Sequence, residues 1–340
     1  MMNRFEYIAP ESLEQAVALF LKRDDSVFLA GGTDYIPLMK YGVKKPGLII
    51  GINEIPYLTK IEARDQGLFV GAMNTLASLA ENRHIMEKFP VISRASRLVA
   101  SPQIRNVGTI GGNILQDRRC IYFNQSENWR KSIPSCFKTG GKVCHQVPRS
   151  KTCRAIYHSD LAPVLTIMDT MVECFDKKGF YQQPLRNVIR EHVENNGRME
   201  KGEYFITGFI LPFLPEGAWM KFIKQSARAS VDFPVFNAVL LGLPKSKNSE
   251  SAVIKLVAGA VAPEPIELKK TEEFIRKQAG SLVDKKEEII RTAIDELNKK
   301  CALIIDTGIS IKSRKKAFGV IGRLIEEGLK KLESFYKKGL

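Results

Sequence analysis

Long apolar runs are missing from this chain. No hydrophobic stretch approaches the ~18 residues that would cross a bilayer, so no membrane-spanning segment is expected. The first residues, Met1 to Pro10, lack the apolar centre of a secretory signal, and the reading is a cytoplasmic protein with reduced cysteines. No internal repeat or low-complexity tract occurs, and the 44% hydrophobic content excludes long disorder. Histidine is scarce, at four residues, and no Ser–His–Asp set or carboxylate pair stands out. Neither a G-x-G-x-x-G fingerprint nor a Walker loop with its terminal lysine is present. The nicotinamide and NTPase readings therefore fall.

What the chain does have is length, positive charge and two glycine clusters. Its 340 residues suffice for two or three cores. Lys and Arg number 52 against 37 Asp and Glu, a net +15. Two segments hold most of the excess: nine basic against two acidic residues from Asp117 to Tyr157, and nine against three from Ile311 to Leu340. A nucleic-acid footprint, a docking face for an acidic partner, and compensation of a buried negative cofactor all fit such clustering.

The pattern predicts an α+β chain in three parts. Residues 1–55 read as a strand (Arg4–Ile8), a helix opened by the capping box Ser12-Leu-Glu-Gln15, and two buried parallel strands, Val27–Ala30 and Leu48–Ile52. Residues 56–215 begin with a hairpin around Asp65-Gln-Gly67. Helices follow from Thr75 and over Phe89–Leu98, then a helix capped by Ser159, then strands Met171–Phe175 and Tyr204–Leu211. Pro212, Pro215 and Gly217 mark a boundary, and residues 216–340 read as an antiparallel sheet (Ala218–Gln225, Asn237–Leu241, Val253–Val261) followed by three helices, the last over Ser313–Phe335.

The first glycine cluster, Leu29-Ala-Gly-Gly-Thr-Asp34, follows a strand directly; small residues let backbone N–H groups converge on an anion. A tight turn needing positive φ is the plainer reading of the same residues. The second, Ser101-Pro-Gln-Ile-Arg-Asn-Val-Gly-Thr-Ile-Gly-Gly-Asn113, interleaves Gly108, Gly111 and Gly112 with hydrogen-bonding side chains.

Cys120, Cys136, Cys144 and Cys153 crowd a 34-residue window, while Cys174 and Cys301 sit in apolar patterns and read as inert core. Four thiolates suit zinc or an iron–sulfur cluster. The close C-x₂₋₄-C pair usual for structural zinc is missing, and the wide spacing favours a cubane. His145 reads as a neighbour of the site rather than a ligand.

Ala-Gly-Gly-Thr-Asp near residue 30, Ile-Arg-Asn-x-Gly-Thr-Ile-Gly-Gly-Asn near 110 and Ser-Asp at 159–160 occur in the order seen in the FAD-binding subunits of the molybdenum hydroxylases, which this chain resembles from about Phe5 onward. The resemblance implies a two-lobed FAD-binding domain followed by a smaller α+β domain. It implies that Leu29, Ala30, Gly31, Gly32, Thr33 and Asp34, with Thr109, Gly111, Gly112 and Asn113, surround the FAD pyrophosphate and ribityl chain. Asp160 would bond a sugar or ribityl hydroxyl, Val99 and Ala100 would lie near the isoalloxazine, and Lys224 would approach the ring from the second domain. An exposed strand lysine is the equal alternative for Lys224.

Within that family the cysteine insert, about residues 117–157, is similar to the one in 4-hydroxybenzoyl-CoA reductase β subunits, which implies a [4Fe–4S] cluster on Cys120, Cys136, Cys144 and Cys153. The implied role is electron transfer, with no catalytic residue on this chain, between a ferredoxin-like acidic donor, the cluster, FAD and [2Fe–2S] centres of a partner subunit. The end point would be a molybdenum-cofactor subunit that dehydroxylates the thioester reductively. Two readings stand beside it: the medium FAD subunit of a xanthine, heterocycle or carbon monoxide dehydrogenase-like enzyme, and a basic Cys₄ zinc protein that binds nucleic acid. The last explains the charge but neither glycine cluster.

Overall fold

The computed structural model describes residues 2–195, 205–228, 231–244, 253–278, 282, 284–302, 304–306 and 309–337. Three sheets organise it. The first joins β1 (Glu6–Ile8), β2 (Ser26–Leu29) and β3 (Leu48–Gly51) in the order β1-β3-β2, all parallel. The central strand β3, Leu-Ile-Ile-Gly, is buried at every residue, as an apolar run in a parallel sheet should be. Helix Leu13–Lys22 covers it through Leu13 and Ala16, and Ser12 caps that helix by accepting from Gln15 N at 3.2 Å. The reciprocal bond of the expected capping box is displaced by one residue: Gln15 accepts from Glu11 N rather than Ser12 N.

The second sheet is antiparallel, in the order β4-β5-β8-β6-β7, from β4 (Ile61–Arg64), β5 (Gly67–Gly71), β6 (Met171–Asp176), β7 (Gly179–Pro184) and β8 (Phe205–Leu211). All seven residues of β8 are buried, which suits its central place. Helices Leu76–Glu81, Pro90–Arg97 and Leu161–Ile167 supply the covering core. The hairpin, the Thr75 cap and the Ser159 cap all form, with Ser159 Oγ accepting from Ala162 N at 3.0 Å. Strand β7 and the helix Leu185–Glu194 behind it add to the expected elements.

The third sheet, β12-β11-β10-β9, is antiparallel: β9 (Trp219–Ser226), β10 (Pro234–Leu243), β11 (Val253–Gly259) and β12 (Ile266–Glu267). Alternation along β10 sends Val239 and Leu241 into the core of the second sheet's helices, and Ala238 and Leu240 into a core closed by the C-terminal helices. The middle of the molecule is therefore one continuous stack of sheet and helices. The final helix is not single. It breaks between Ile311–Ala317 and Val320–Lys337, where Phe318 turns inward and is 1% exposed. Among the described residues no helix is long and apolar enough to cross a membrane.

Candidate functional site

A cleft of about 800 Å³ opens between the parallel sheet and the second sheet's helices. Its first wall is the turn from β2 into helix Tyr35–Lys40. Gly31 lies so close to the second glycine segment that a Cβ there would sit 1.9 Å from the Val107 carbonyl oxygen. Only glycine lets the two loops touch. Gly32 has φ +68°, the left-handed region that L side chains avoid. The backbone N–H groups of Gly31, Gly32 and Thr33 find no acceptor among the described residues. Donors left over at a concave turn are what an anion cradle requires.

The opposite wall is the second glycine segment, folded as two short helices, Pro102–Arg105 and Ile110–Ile114. Thr109 caps the latter by accepting from Gly112 N at 3.0 Å. Gly111 rests against Ala72, where a Cβ would meet the carbonyl oxygen at 2.9 Å. Asn113 is fixed by Ser159, whose hydroxyl donates to Asn113 Oδ1 at 2.6 Å and so ties the Ser-Asp turn to this wall.

Every expected binding residue lines this cleft except Lys224: Leu29, Ala30, Gly31, Gly32, Thr33, Asp34, Val99, Ala100, Thr109, Gly111, Gly112, Asn113 and Asp160. Ala100 is held at φ +41°, and the Arg105 guanidinium bonds the Val99 and Ala100 carbonyls at 2.7 and 2.8 Å. Such strain is sustained only where the surroundings enforce it. Lys224 stands behind the wall: its ammonium donates to Asp160 Oδ2 and to the Leu98 carbonyl, each at 2.7 Å, in a pair whose side chains are 6% and 3% exposed. The reading of Lys224 as an exposed strand lysine is thereby excluded. Burial pushes the Asp160 carboxyl upward, while Lys224 and Asn237 pull it back down.

Asp34 also has a role the sequence did not show. Its carboxylate accepts from Arg119 at 2.8 Å and from Asp117 N at 2.9 Å, so it clasps the base of the cysteine insert. Arg119 itself stacks on Phe233, with the guanidinium carbon 4.2 Å from the ring centre. Arg119, Phe233, His158, His192, Lys44 and Asp117 all line the cleft, and no sequence motif marks them. Arg119 stands out in the sequence only as one charge among nine, because an 85-residue separation from Asp34 leaves no local pattern.

The insert is closed at its neck by reciprocal backbone bonds between Arg119 and Ile156, 2.8 and 2.9 Å. The four cysteines are partly exposed and unpaired, whereas Cys174 and Cys301 are buried. Burial pushes the Cys120 thiol up, and the nearby Cys153 adds to this. Among the described residues no three Cys, His, Asp or Glu side chains converge on a metal-sized point. Lys138 is buried against Asp117 and over the Phe123 ring, so it faces no partner.

Residues 3–214 match the family described as the FAD binding domain in molybdopterin dehydrogenase. The chain belongs to that family. It is 28% identical, over 83% of its own length and 89% of the other's, to the aldehyde oxidoreductase FAD-binding subunit of Escherichia coli K12. It is 37% identical over 111 residues to the 6-hydroxypseudooxynicotine dehydrogenase complex subunit alpha of Paenarthrobacter nicotinovorans, where the match spans 38% of that relative's length. A solved carbon monoxide dehydrogenase chain from Hydrogenophaga pseudoflava superimposes with a TM-score of 0.74 at 20% identity, covering 98% of this chain and 99% of the other. At that identity the likeness establishes the fold.

Proposed function

We propose that the chain is the flavin-carrying medium subunit of a molybdenum-containing oxidoreductase and holds FAD in the glycine-walled cleft. The observation that carries this is the convergence of both glycine segments and the Ser-Asp turn on one cleft with free N–H donors at Gly31, Gly32 and Thr33. Those three groups would hold the pyrophosphate, and Asp160, kept in place by Lys224, would face the sugar or ribityl hydroxyls. FAD bound there would supply exchange of one or two electrons at a time. The protein's own part is to bind, orient and exclude water; no proton donor or nucleophile on this chain is needed.

Electrons would pass to a partner chain with [2Fe–2S] centres and to a molybdenum-cofactor chain. A finer reading rests on the insert alone. Four unpaired cysteines among nine basic residues support a [4Fe–4S] cluster on Cys120, Cys136, Cys144 and Cys153, and with it reductive dehydroxylation of 4-hydroxybenzoyl-CoA fed by a ferredoxin-like acidic donor. The alternative, an oxidative dehydrogenase of an aldehyde, a heterocycle or carbon monoxide, fits the names of the relatives at least as well. A donor would meet Lys142, Arg149 and Lys151, which are exposed, rather than Lys138, or Arg130, which is tied to the Gly42 carbonyl.

The test is anaerobic purification with flavin, iron and sulfide analysis. One FAD per chain is expected, and failure to take up FAD at saturation would overturn the assignment. About four iron and four sulfide per chain are expected for the finer reading. They should vanish in Cys120→Ser, Cys136→Ser, Cys144→Ser and Cys153→Ser and persist in Cys174→Ser and Cys301→Ser. Stoichiometric zinc without sulfide leaves the zinc site in its place.

A further inference from the structure

Three successive carbonyls at the cleft wall are held by cations that stand outside it. Lys224 donates to the Leu98 carbonyl at 2.7 Å, and Arg105 Nη1 donates to both the Val99 and the Ala100 carbonyls, at 2.7 and 2.8 Å. Val99, Ala100 and Ser101 line the cleft, whereas Arg105 and Lys224 do not. One nitrogen takes both carbonyls because Ala100, at φ +41°, sits in the left-handed region, where successive peptide units point the same way. Each peptide unit is planar and trans, so its N–H points opposite to its C=O. The N–H groups of Ala100 and Ser101 therefore face away from Arg105, and neither has an acceptor among the described residues. Nor does any carboxylate reach the Arg105 guanidinium among the described residues, so its charge is not spent on an ion pair.

We propose that Arg105 is a positioning residue for the flavin ring. By holding the Val99 and Ala100 carbonyls from behind, it turns the Ala100 and Ser101 N–H groups to the cleft as a donor pair for an acceptor edge of the ring system. This rests on the flavin reading of the cleft and gives the strained conformation of Ala100 a purpose within it. Reduction adds negative charge to the ring, and a donor pair backed by an uncompensated guanidinium binds that form more tightly than the oxidised one. Arg105 lies within the second glycine segment but acts through the strap alone.

Titration of the flavin-free chain with FAD, and with ADP, which lacks the ring, tests it. In ¹⁵N-labelled wild-type protein the Ala100 and Ser101 amide signals should shift when FAD is added and stay in place with ADP. Arg105→Ala should weaken FAD binding about tenfold, the scale of one hydrogen bond, and leave ADP binding unchanged. The reduced flavin should lose about ten times more affinity than the oxidised one, which lowers the two-electron potential of the bound flavin by about 30 mV. Because one nitrogen makes both bonds, Arg105→Lys can replace them and should bring FAD affinity and potential back toward wild type. A merely structural Arg105 would lower the melting temperature of the flavin-free Ala variant and change FAD and ADP binding alike, or neither, at an unaltered potential. That result overturns the proposal, as would wild-type amide signals at Ala100 and Ser101 that ignore FAD. If flavin binds and these signatures are absent, only this inference fails, whereas absence of any flavin uptake removes the reading beneath it.

Discussion

At the scale of single residues, this protein places charge where burial makes it costly and then compensates it locally. The Lys224–Asp160 pair is the clearest case. Replacing Lys224 with Met leaves a buried carboxylate held only by Asn237, and a loss of about 3–5 kcal/mol is expected in urea unfolding. The double variant Lys224→Met, Asp160→Asn should recover much of that loss, since it removes both charges. His192 makes the opposite case, a ring kept neutral. Burial, with Lys138 and Arg118 nearby, pushes it down to about 3. Unfolded, it titrates near its ordinary value of 6.5. Between those limits the unfolded chain binds a proton that the folded chain does not, so stability falls as pH drops below 6.5, by up to about 1.4 kcal/mol per pH unit. In His192→Gln, unfolding followed from pH 7 to 5 should lose part of that slope; an unchanged slope would show that the ring is protonated when folded.

At the scale of elements, local chemistry that completes itself within four residues is readable from the sequence. The Ser12, Thr75 and Ser159 caps and the Asp65-Gln-Gly67 hairpin all form as expected. Helix Leu185–Glu194 was not legible, because it starts after Pro184 with no side-chain cap to announce it. The break in the last helix was hidden for another reason: Ala317, Ile321 and Leu324 keep an apolar spacing across it while the backbone turns at Phe318-Gly319. The cleft was legible because its glycines are short-range signatures. Its Arg119 wall was not, since that wall comes from a loop that folds back over many residues. The insert, too, is anchored by contacts beyond sequence pattern. Gln146 exchanges two 2.6 Å bonds with the Ile305 backbone, and Ile156 packs with Ala302 and Ile304. On its other side Lys45 meets Glu127 at 2.7 Å and Arg130 reaches the Gly42 carbonyl. Gln146→Ala should cost about 1–3 kcal/mol and raise hydrogen exchange at residue 305. Lys45→Ala should change stability by less than about 1 kcal/mol, being an exposed pair.

At the scale of the whole molecule, the cleft is walled by the parallel sheet, the second sheet's helices and, through Arg228, Asp232 and Phe233, the C-terminal part. A ligand that touches all three should stabilise the folded chain as a unit. At a free FAD concentration 100 times its dissociation constant the gain is about 2.7 kcal/mol, visible as a single, later melting transition. Two separated transitions, with only the earlier one moved by flavin, would show that the C-terminal part melts independently.

The neck formed by Arg119 and Ile156 has a consequence for engineering. Because these residues are bonded to each other, the ends of the segment they enclose are already as close as the two sides of a hairpin. A tight turn of two residues could replace residues 120–155 if Asp117, which loses the buried Lys138 with them, is made neutral as Asp117→Asn; the backbone N–H of residue 117 and the Arg119 guanidinium would remain to clasp Asp34. The insert is in this sense a cassette. It could be removed from this chain, and the cleft beside it, which no residue of 120–155 lines, would keep its wall.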